Sequence, residues 1–187
     1  MKKNEKLKIA PHIKNKHTDD LIDHYWGSIN YVSDLIKASE IKAGLILTFY
    51  GVMLNFVYSN SETVIAKIGH QVGFYIISGL WFCCIAVSVY HSVKCFMPRI
   101  EDRYDKNIFF FGDVITKFGD IKNYSKTFFK ISLDEDELFD QLGQQIYINS
   151  KIADMKFQNI NKSLKYMAIS LIILFILIIY YFSHILT

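Results

Sequence analysis

The last stretch of the chain, Tyr166–Thr187, reads YMAISLIILFILIIYYFSHILT and contains no Asp, Glu, Lys or Arg. A bilayer hydrocarbon core about 30 Å thick is crossed by roughly 20 apolar residues of helix. Backbone polar groups cannot remain unpaired in lipid, so a single stretch of this kind crosses as an α-helix. This stretch therefore predicts a membrane-spanning helix.

Two more charge-free stretches precede it, at Ala43–Ser61 and Ile68–Val93. The chain is 51% hydrophobic and has two prolines, a composition that argues against a disordered or fibrous protein. The sequence thus predicts an all-α integral membrane protein with three transmembrane helices, at residues 43–60, 72–94 and 166–185.

The basic residues are distributed unevenly around the predicted spans. Eight lysines precede the first span, and Lys67 is the single Lys or Arg between the first two. Twelve Lys and Arg residues, from Lys94 to Lys165, lie between the second and third charge-free stretches. Basic residues accumulate on the cytosolic side of membrane proteins. We therefore expect the N-terminus and residues 95–165 in the cytosol and the short C-terminus on the other side. Acidic residues are interleaved throughout, so the net charge of +3 does not predict a nucleic-acid partner.

Helical patterns continue outside the predicted spans. Residues 1–17 are rich in lysine and aperiodic, which predicts a mobile basic tail. Residues 18–42 are predicted to form a cytosolic amphipathic helix that runs into the first span, because apolar residues recur there at steps of three and four: Ile22, Tyr25, Ile29, Val32 and Ile36. Residues 95–165 are predicted to hold a connector followed by a second long amphipathic helix. Ser132 and Glu135 have the spacing of a capping box at its start, and this helix is predicted to continue into the third span.

The sequence lacks the motifs of an enzyme. It contains no glycine-rich phosphate loop and no Ser/His/Asp or Cys/His set in a supporting context, so we predict no catalytic residues. We also expect no metal site and no resident cofactor. Apart from Lys94 at the end of the second, the predicted spans contain no Asp, Glu, Lys or Arg, which argues against a pump or a coupled transporter.

The connector contains an unusual aromatic segment, Asn107–Val114, with the sequence NIFFFGDV. Three consecutive phenylalanines beside cationic residues can bind a nucleotide, since rings stack on a base and cations attract a phosphate. They can equally pack on a helical bundle or lie at lipid headgroups. The residues alone favour packing.

The order of several short motifs resembles the transmembrane effector family of Pycsar, the bacterial pyrimidine-cyclase anti-phage system. The motifs surround the three predicted spans and cover roughly residues 20–185: Glu40-Ile-Lys-Ala43, Asn107-Ile-Phe-Phe-Phe-Gly112, Gln141-Leu142, Ser150-Lys-Ile-Ala153 and Lys156-Phe157. The first motif departs from the family pattern, because Glu40 stands where Asp is expected.

This resemblance implies a bacterial inner-membrane effector with a periplasmic C-terminus. A partner cyclase would make cyclic CMP or cyclic UMP on infection, and the effector would respond by impairing membrane integrity and aborting the infection. The connector is too short for the usual eight-stranded cyclic-nucleotide-binding barrel. A site on this chain would therefore be unconventional, and one assembled between subunits of a homo-oligomer is an expected form of it. The candidate contacts for the cyclic phosphate and the pyrimidine are Arg99, Arg103, Phe110 and Phe111.

Two other functions remain open at this point. The helical stripes would also suit a membrane anchor or scaffold that recruits a cytosolic partner. Three short spans would also suit a small channel subunit with a constitutive role. Depolarisation without nucleotide would favour the channel, and none under any condition would favour the scaffold.

Overall fold

The computed structural model describes residues 16–69, 71–97 and 105–186. These residues form five α-helices: α1 (Lys16–Ile68), α2 (Val72–Phe96), α3 (Phe111–Thr116), α4 (Ile121–Ser132) and α5 (Glu135–Leu186). The described ranges contain no β-strand. The all-α prediction is confirmed.

Three of these helices, α1, α2 and α5, are long and apolar enough to cross a membrane. The predicted spans at residues 43–60, 72–94 and 166–185 lie within them, so the prediction of three spans in a multi-pass membrane protein is confirmed. Helix α1 continues to Ile68, well past the predicted end of the first span. It ends at Gly69, whose φ of 60° lies in the left-handed region that favours glycine.

The chain divides into two compact units, each with its own core. The connector unit comprises the described residues up to Tyr31 together with Asp105–Ile146, and the span unit comprises the described residues of Val32–Tyr104 and of Tyr147–Thr187. Helices α1 and α5 each contribute residues to both units.

The connector unit has a small core of Ile108, Phe118 and Ile131, against which Phe109, Tyr124 and Leu138 pack. The span unit has a larger core drawn from α1, α2 and α5: Ala43, Ile46, Tyr50, Trp81, Ile85, Cys95, Ile160, Ile173 and Leu177. The predicted amphipathic stripe of α1 is on its protected side, since Ile29 and Val32 are buried and Ile22, Tyr25 and Ile36 are half-buried.

The predicted start of α5 is wrong by two residues. Ser132 is the last residue of α4, and its hydroxyl donates to the Phe128 carbonyl at 2.8 Å. Asp134 precedes α5 instead, and its carboxylate accepts the Glu137 N–H at 3.2 Å. Both residues suit an N-cap, and the one nearer the acidic first turn of the helix takes the position.

The connector is more ordered than the sequence suggested, because it contains α3 and α4. Asp120 caps α4 by accepting the Asn123 N–H at 2.7 Å. Gly119 precedes it with a φ of 77°, which lets the chain turn between the two helices. The predicted mobile tail lies outside the described residues, except for Lys16 and His17 at the start of α1.

Candidate functional site

The aromatic segment of the connector unit is organised by one buried side chain, Asn107. Its carboxamide oxygen accepts the backbone N–H groups of Phe109 and Phe110, at 2.8 and 3.1 Å. Its Nδ2 donates to the Gln141 carbonyl at 2.7 Å. Asn107 is fully buried, so each of these bonds compensates a polar group that water cannot reach. The backbone of the phenylalanine triplet is thereby fixed to α5.

Two further side chains complete this set of contacts. The Gln141 Oε1 accepts the Ile108 N–H at 3.0 Å, and the Asp113 Oδ2 accepts the Asn107 N–H at 2.9 Å. Asp113 is 3% exposed, and its other oxygen lies 3.0 Å from the Lys117 ammonium. A buried carboxylate needs such a partner, because removing an unpaired charge from water is costly.

The three phenylalanines of this segment have three different environments. The Phe109 ring packs edge-on against Trp26 and Phe128, with centroids 5.6 and 5.9 Å away. Phe110 is half-buried, while Phe111 is 75% exposed. Of the predicted site residues, the structure thus brings Phe110 and Phe111 together, with ring centroids 6.1 Å apart. Arg99 and Arg103 lie outside the described residues.

The Phe110 ring leaves no room for a side chain at Gly112. A Cβ built there would lie 2.9 Å from Cε1 of the Phe110 ring, closer than atoms of ordinary side chains approach. A residue with a side chain would displace this ring. The glycine of the FFFG motif therefore positions Phe110 next to Phe111.

A second cluster of motif residues lies in the span unit. The Lys156 ammonium contacts the Glu40 carboxylate at 2.7 Å and the Cys95 carbonyl at 2.6 Å. The Lys156 side chain is 10% exposed and that of Glu40 is 39% exposed. This cluster joins α1, α2 and α5 by one charge-assisted contact and one hydrogen bond. The Lys42 ammonium also lies 5.8 Å from the centroid of the Phe157 ring, a cation–π contact.

Serine hydroxyls connect α2 and α5 in the same unit. The Ser163 Oγ lies 2.7 Å from that of Ser92 and 3.0 Å from that of Ser88, and all three residues are fully buried. The Tyr50 hydroxyl meets the Ser170 hydroxyl at 3.2 Å, which connects α1 to α5. Such hydrogen bonds suit helix pairs in a membrane, where no water competes for them.

Apart from the candidate contacts Phe110 and Phe111, no individual role for a motif residue follows from the sequence. The structure shows that distant motifs meet in pairs. Asn107 meets Gln141, Glu40 meets Lys156, and Lys42 meets Phe157. The available signal was the presence of polar residues in otherwise apolar helical patterns. That signal does not say which polar residue faces which.

Comparison with known proteins identifies the family to which this chain belongs. The model of the PycTM family, described as the Pycsar effector protein domain, matches residues 24–183. The chain is 27% identical over 157 residues to the Pycsar effector protein PtPycTM of Propioniciclava tarda, covering 81% of this chain and 76% of that protein. It is 27% identical over 133 residues to the Pycsar effector protein SaPycTM of Staphylococcus aureus, covering 71% of this chain and 78% of that protein.

No solved structure matches the chain significantly. The family match extends from the early part of α1 to the end of α5 and includes every paired motif residue described above. The chain belongs to the PycTM family of Pycsar effector proteins.

Proposed function

We propose that this protein is an anti-phage effector activated by a cyclic pyrimidine nucleotide, cyclic CMP or cyclic UMP, that a partner cyclase makes during infection. The activated effector impairs the integrity of the bacterial inner membrane and aborts the infection. The observation that carries this proposal is membership of the Pycsar effector family, which supports a defence role. The three apolar helices are consistent with it, since they give the effector direct access to the lipid bilayer.

The nucleotide site we propose lies at the aromatic segment, where Phe111 offers an exposed ring for stacking on a pyrimidine. An exposed phenylalanine gains little for folding, whereas a nucleobase stacked on it is worth about 1–3 kcal/mol. The buried contacts of Asn107 hold the backbone beneath the ring in place, so the surface is organised before ligand arrives. Arg99 and Arg103 are the proposed contacts for the cyclic phosphate.

Helices α1 and α5 offer a physical connection between the site and the bilayer. Trp26 on α1 packs against Phe109, and Gln141 on α5 bonds to the aromatic segment. A ligand that changes the packing of this segment therefore acts on both helices, each of which continues into a predicted span. A shift of this kind requires that the ligand bind one packing arrangement more tightly than the other.

The function is tested by membrane potential in living cells. The protein is expressed with an active partner cyclase, with a catalytically dead cyclase, or alone, and a voltage-sensitive dye is followed. We expect depolarisation only with the active cyclase. Depolarisation in all three cultures would indicate a constitutive channel, and no depolarisation in any of them would indicate an anchor or scaffold.

The site is tested with purified full-length protein in lipid nanodiscs, titrated with cyclic CMP and with cyclic UMP. Phe111→Ala removes the stacking surface and is expected to weaken binding at least tenfold. The double variant Arg99→Ala/Arg103→Ala removes the phosphate contacts and is expected to have an effect of the same size. Phe129→Ala is the matched control, because Phe129 is also an exposed ring of the connector unit. Unchanged affinity in both site variants would exclude this site while leaving the effector function intact.

A further inference from the structure

The side of α1 that faces away from the core of the span unit carries two polar residues among large exposed apolar ones such as Leu45 and Val52. Successive residues of an α-helix are rotated by about 100°. Ala43, Ile46 and Tyr50 form the buried side of this segment. Thr48 and Asn55 lie on the opposite side, and both are exposed.

Asn55 differs from Thr48 and Asn60, the polar residues before and after it whose side chains are bonded within the helix. The Thr48 hydroxyl donates to the Gly44 carbonyl at 3.0 Å, and the Asn60 amide donates to the Phe56 carbonyl at 2.8 Å. Within the described ranges, the Asn55 carboxamide has no hydrogen-bond partner. It therefore presents two donors and an acceptor to whatever lies beside this face.

The position of Asn55 along the span makes that exposure costly. It lies three residues, about 4.5 Å along the axis, from the midpoint of the charge-free stretch Ala43–Ser61. Hydrocarbon tails offer no hydrogen bonds, and an amide left unpaired among them costs several kcal/mol. The cost disappears when another protein surface supplies the missing donors and acceptors.

The shape of this face suits a second helix. Gly51 lies one turn before Asn55, and a Cβ built on it meets nothing within 4 Å. Small residues at such positions allow two membrane helices to approach closely. A carboxamide is both donor and acceptor, so two copies of Asn55 related by a twofold axis satisfy each other.

We propose that a second copy of this chain packs its α1 helix against this face, with the two Asn55 carboxamides hydrogen-bonded across the interface. The contact joins two protomers inside the bilayer through the side of α1 that the protomer's own core leaves free. This contact does not depend on nucleotide binding, so a test that overturns it leaves the proposed function untouched, and the reverse is also true.

The association is tested with full-length protein labelled with a fluorescent donor or acceptor and diluted in liposomes of defined lipid content. Asn55→Leu is expected to lower the association constant about tenfold, because the twofold contact loses two hydrogen bonds, each worth about threefold between membrane helices. Asn60→Leu is the matched control, since its amide is already bonded within its own helix, and it is expected to associate like the wild type. Equal association of all three proteins would overturn the proposal. A monomeric wild type would overturn it as well.

Cross-linking identifies the face independently of any change in affinity. In a background with Cys83, Cys84 and Cys95 replaced by alanine, Val52→Cys places a thiol beside Asn55, and Phe175→Cys places one on an exposed face of α5. We expect oxidation to give disulfide-linked dimers at position 52 and few at position 175. The reverse pattern, or equal yields, would show that the copies meet through another face.

Discussion

The buried carboxamide of Asn107 shows how much one side chain contributes to the connector unit. Replacing it with alanine leaves the Phe109 and Phe110 N–H groups without an acceptor and removes the contact to the Gln141 carbonyl. Buried groups left unpaired cost about 1–3 kcal/mol each, partly recovered by relaxation or water. We therefore expect Asn107→Ala to destabilise the protein by about 3 kcal/mol.

The measurement is thermal unfolding of the purified protein in detergent. Asn60→Ala is the control, because that amide is exposed and is expected to cost under about 0.5 kcal/mol. An equal, small effect of both substitutions would show that Asn107 does not hold the segment.

The contact between Lys156 and Glu40 makes a second prediction at the residue scale. Glu40→Gln keeps the shape but leaves the Lys156 ammonium, which is 10% exposed, without its counter-charge. Breaking a buried pair costs up to about 3–5 kcal/mol. Because Glu40 is 39% exposed and the Cys95 carbonyl still accepts a bond, we expect about 2 kcal/mol.

Chemical denaturation in detergent measures this cost. Asp34→Asn breaks the Asp34–Lys37 pair, whose two side chains are about 70% exposed, and is expected to have no measurable effect. Similar losses in the two variants would mean that the Lys156 contact is as weak as a surface ion pair.

Residue pairing was the part of the candidate site that the sequence could not supply. The motifs were recognisable, yet Asn107 and Gln141 are 34 residues apart, and Glu40 and Lys156 are 116 apart. Helical periodicity gives the face of each residue on its own helix. It contains no information on which faces meet, since that depends on how the helices pack.

At the scale of elements, α4 is the helix whose formation depends most on local signals. Asp120 caps it, and a side-chain cap of this kind contributes about 1 kcal/mol. Asp120→Ala is expected to raise amide hydrogen exchange across Ile121–Ser132 about fivefold, by increasing the population of the open helix. Ser125→Ala, in the exposed middle of the same helix, is expected to leave exchange unchanged, and faster exchange in both variants would discount the cap.

The long helices were predictable because their apolar stretches and periodic stripes continue for many residues. Helix α3 was not predictable, because its six residues are too few for a periodic pattern to be recognised. The wrong start of α5 has a different cause. Ser132 and Asp134 are both good capping residues, and α4 includes the first of them.

At the scale of the whole molecule, the uneven distribution of basic residues predicts the orientation in the membrane. The cysteine-free background with Thr63→Cys should react with a membrane-impermeant maleimide in intact cells, because the α1–α2 turn is predicted to face outward. The same background with Ser125→Cys should react only after the inner membrane is permeabilised. Both residues are exposed in the structure, so a difference in reactivity reports the side of the membrane. The opposite labelling pattern would invert the predicted orientation.

The triplet of phenylalanines has a consequence for how this family evolves. Folding constrains Phe109, whose ring lies between Trp26 and Phe128, and hardly constrains Phe111, which is three-quarters exposed. Under selection for stability alone, position 111 should drift to polar residues while position 109 stays apolar. If diverged relatives retain an aromatic ring at both positions, the exposed ring at position 111 has been under selection for something other than stability. Positions 109 and 111, two residues apart, serve as references for each other.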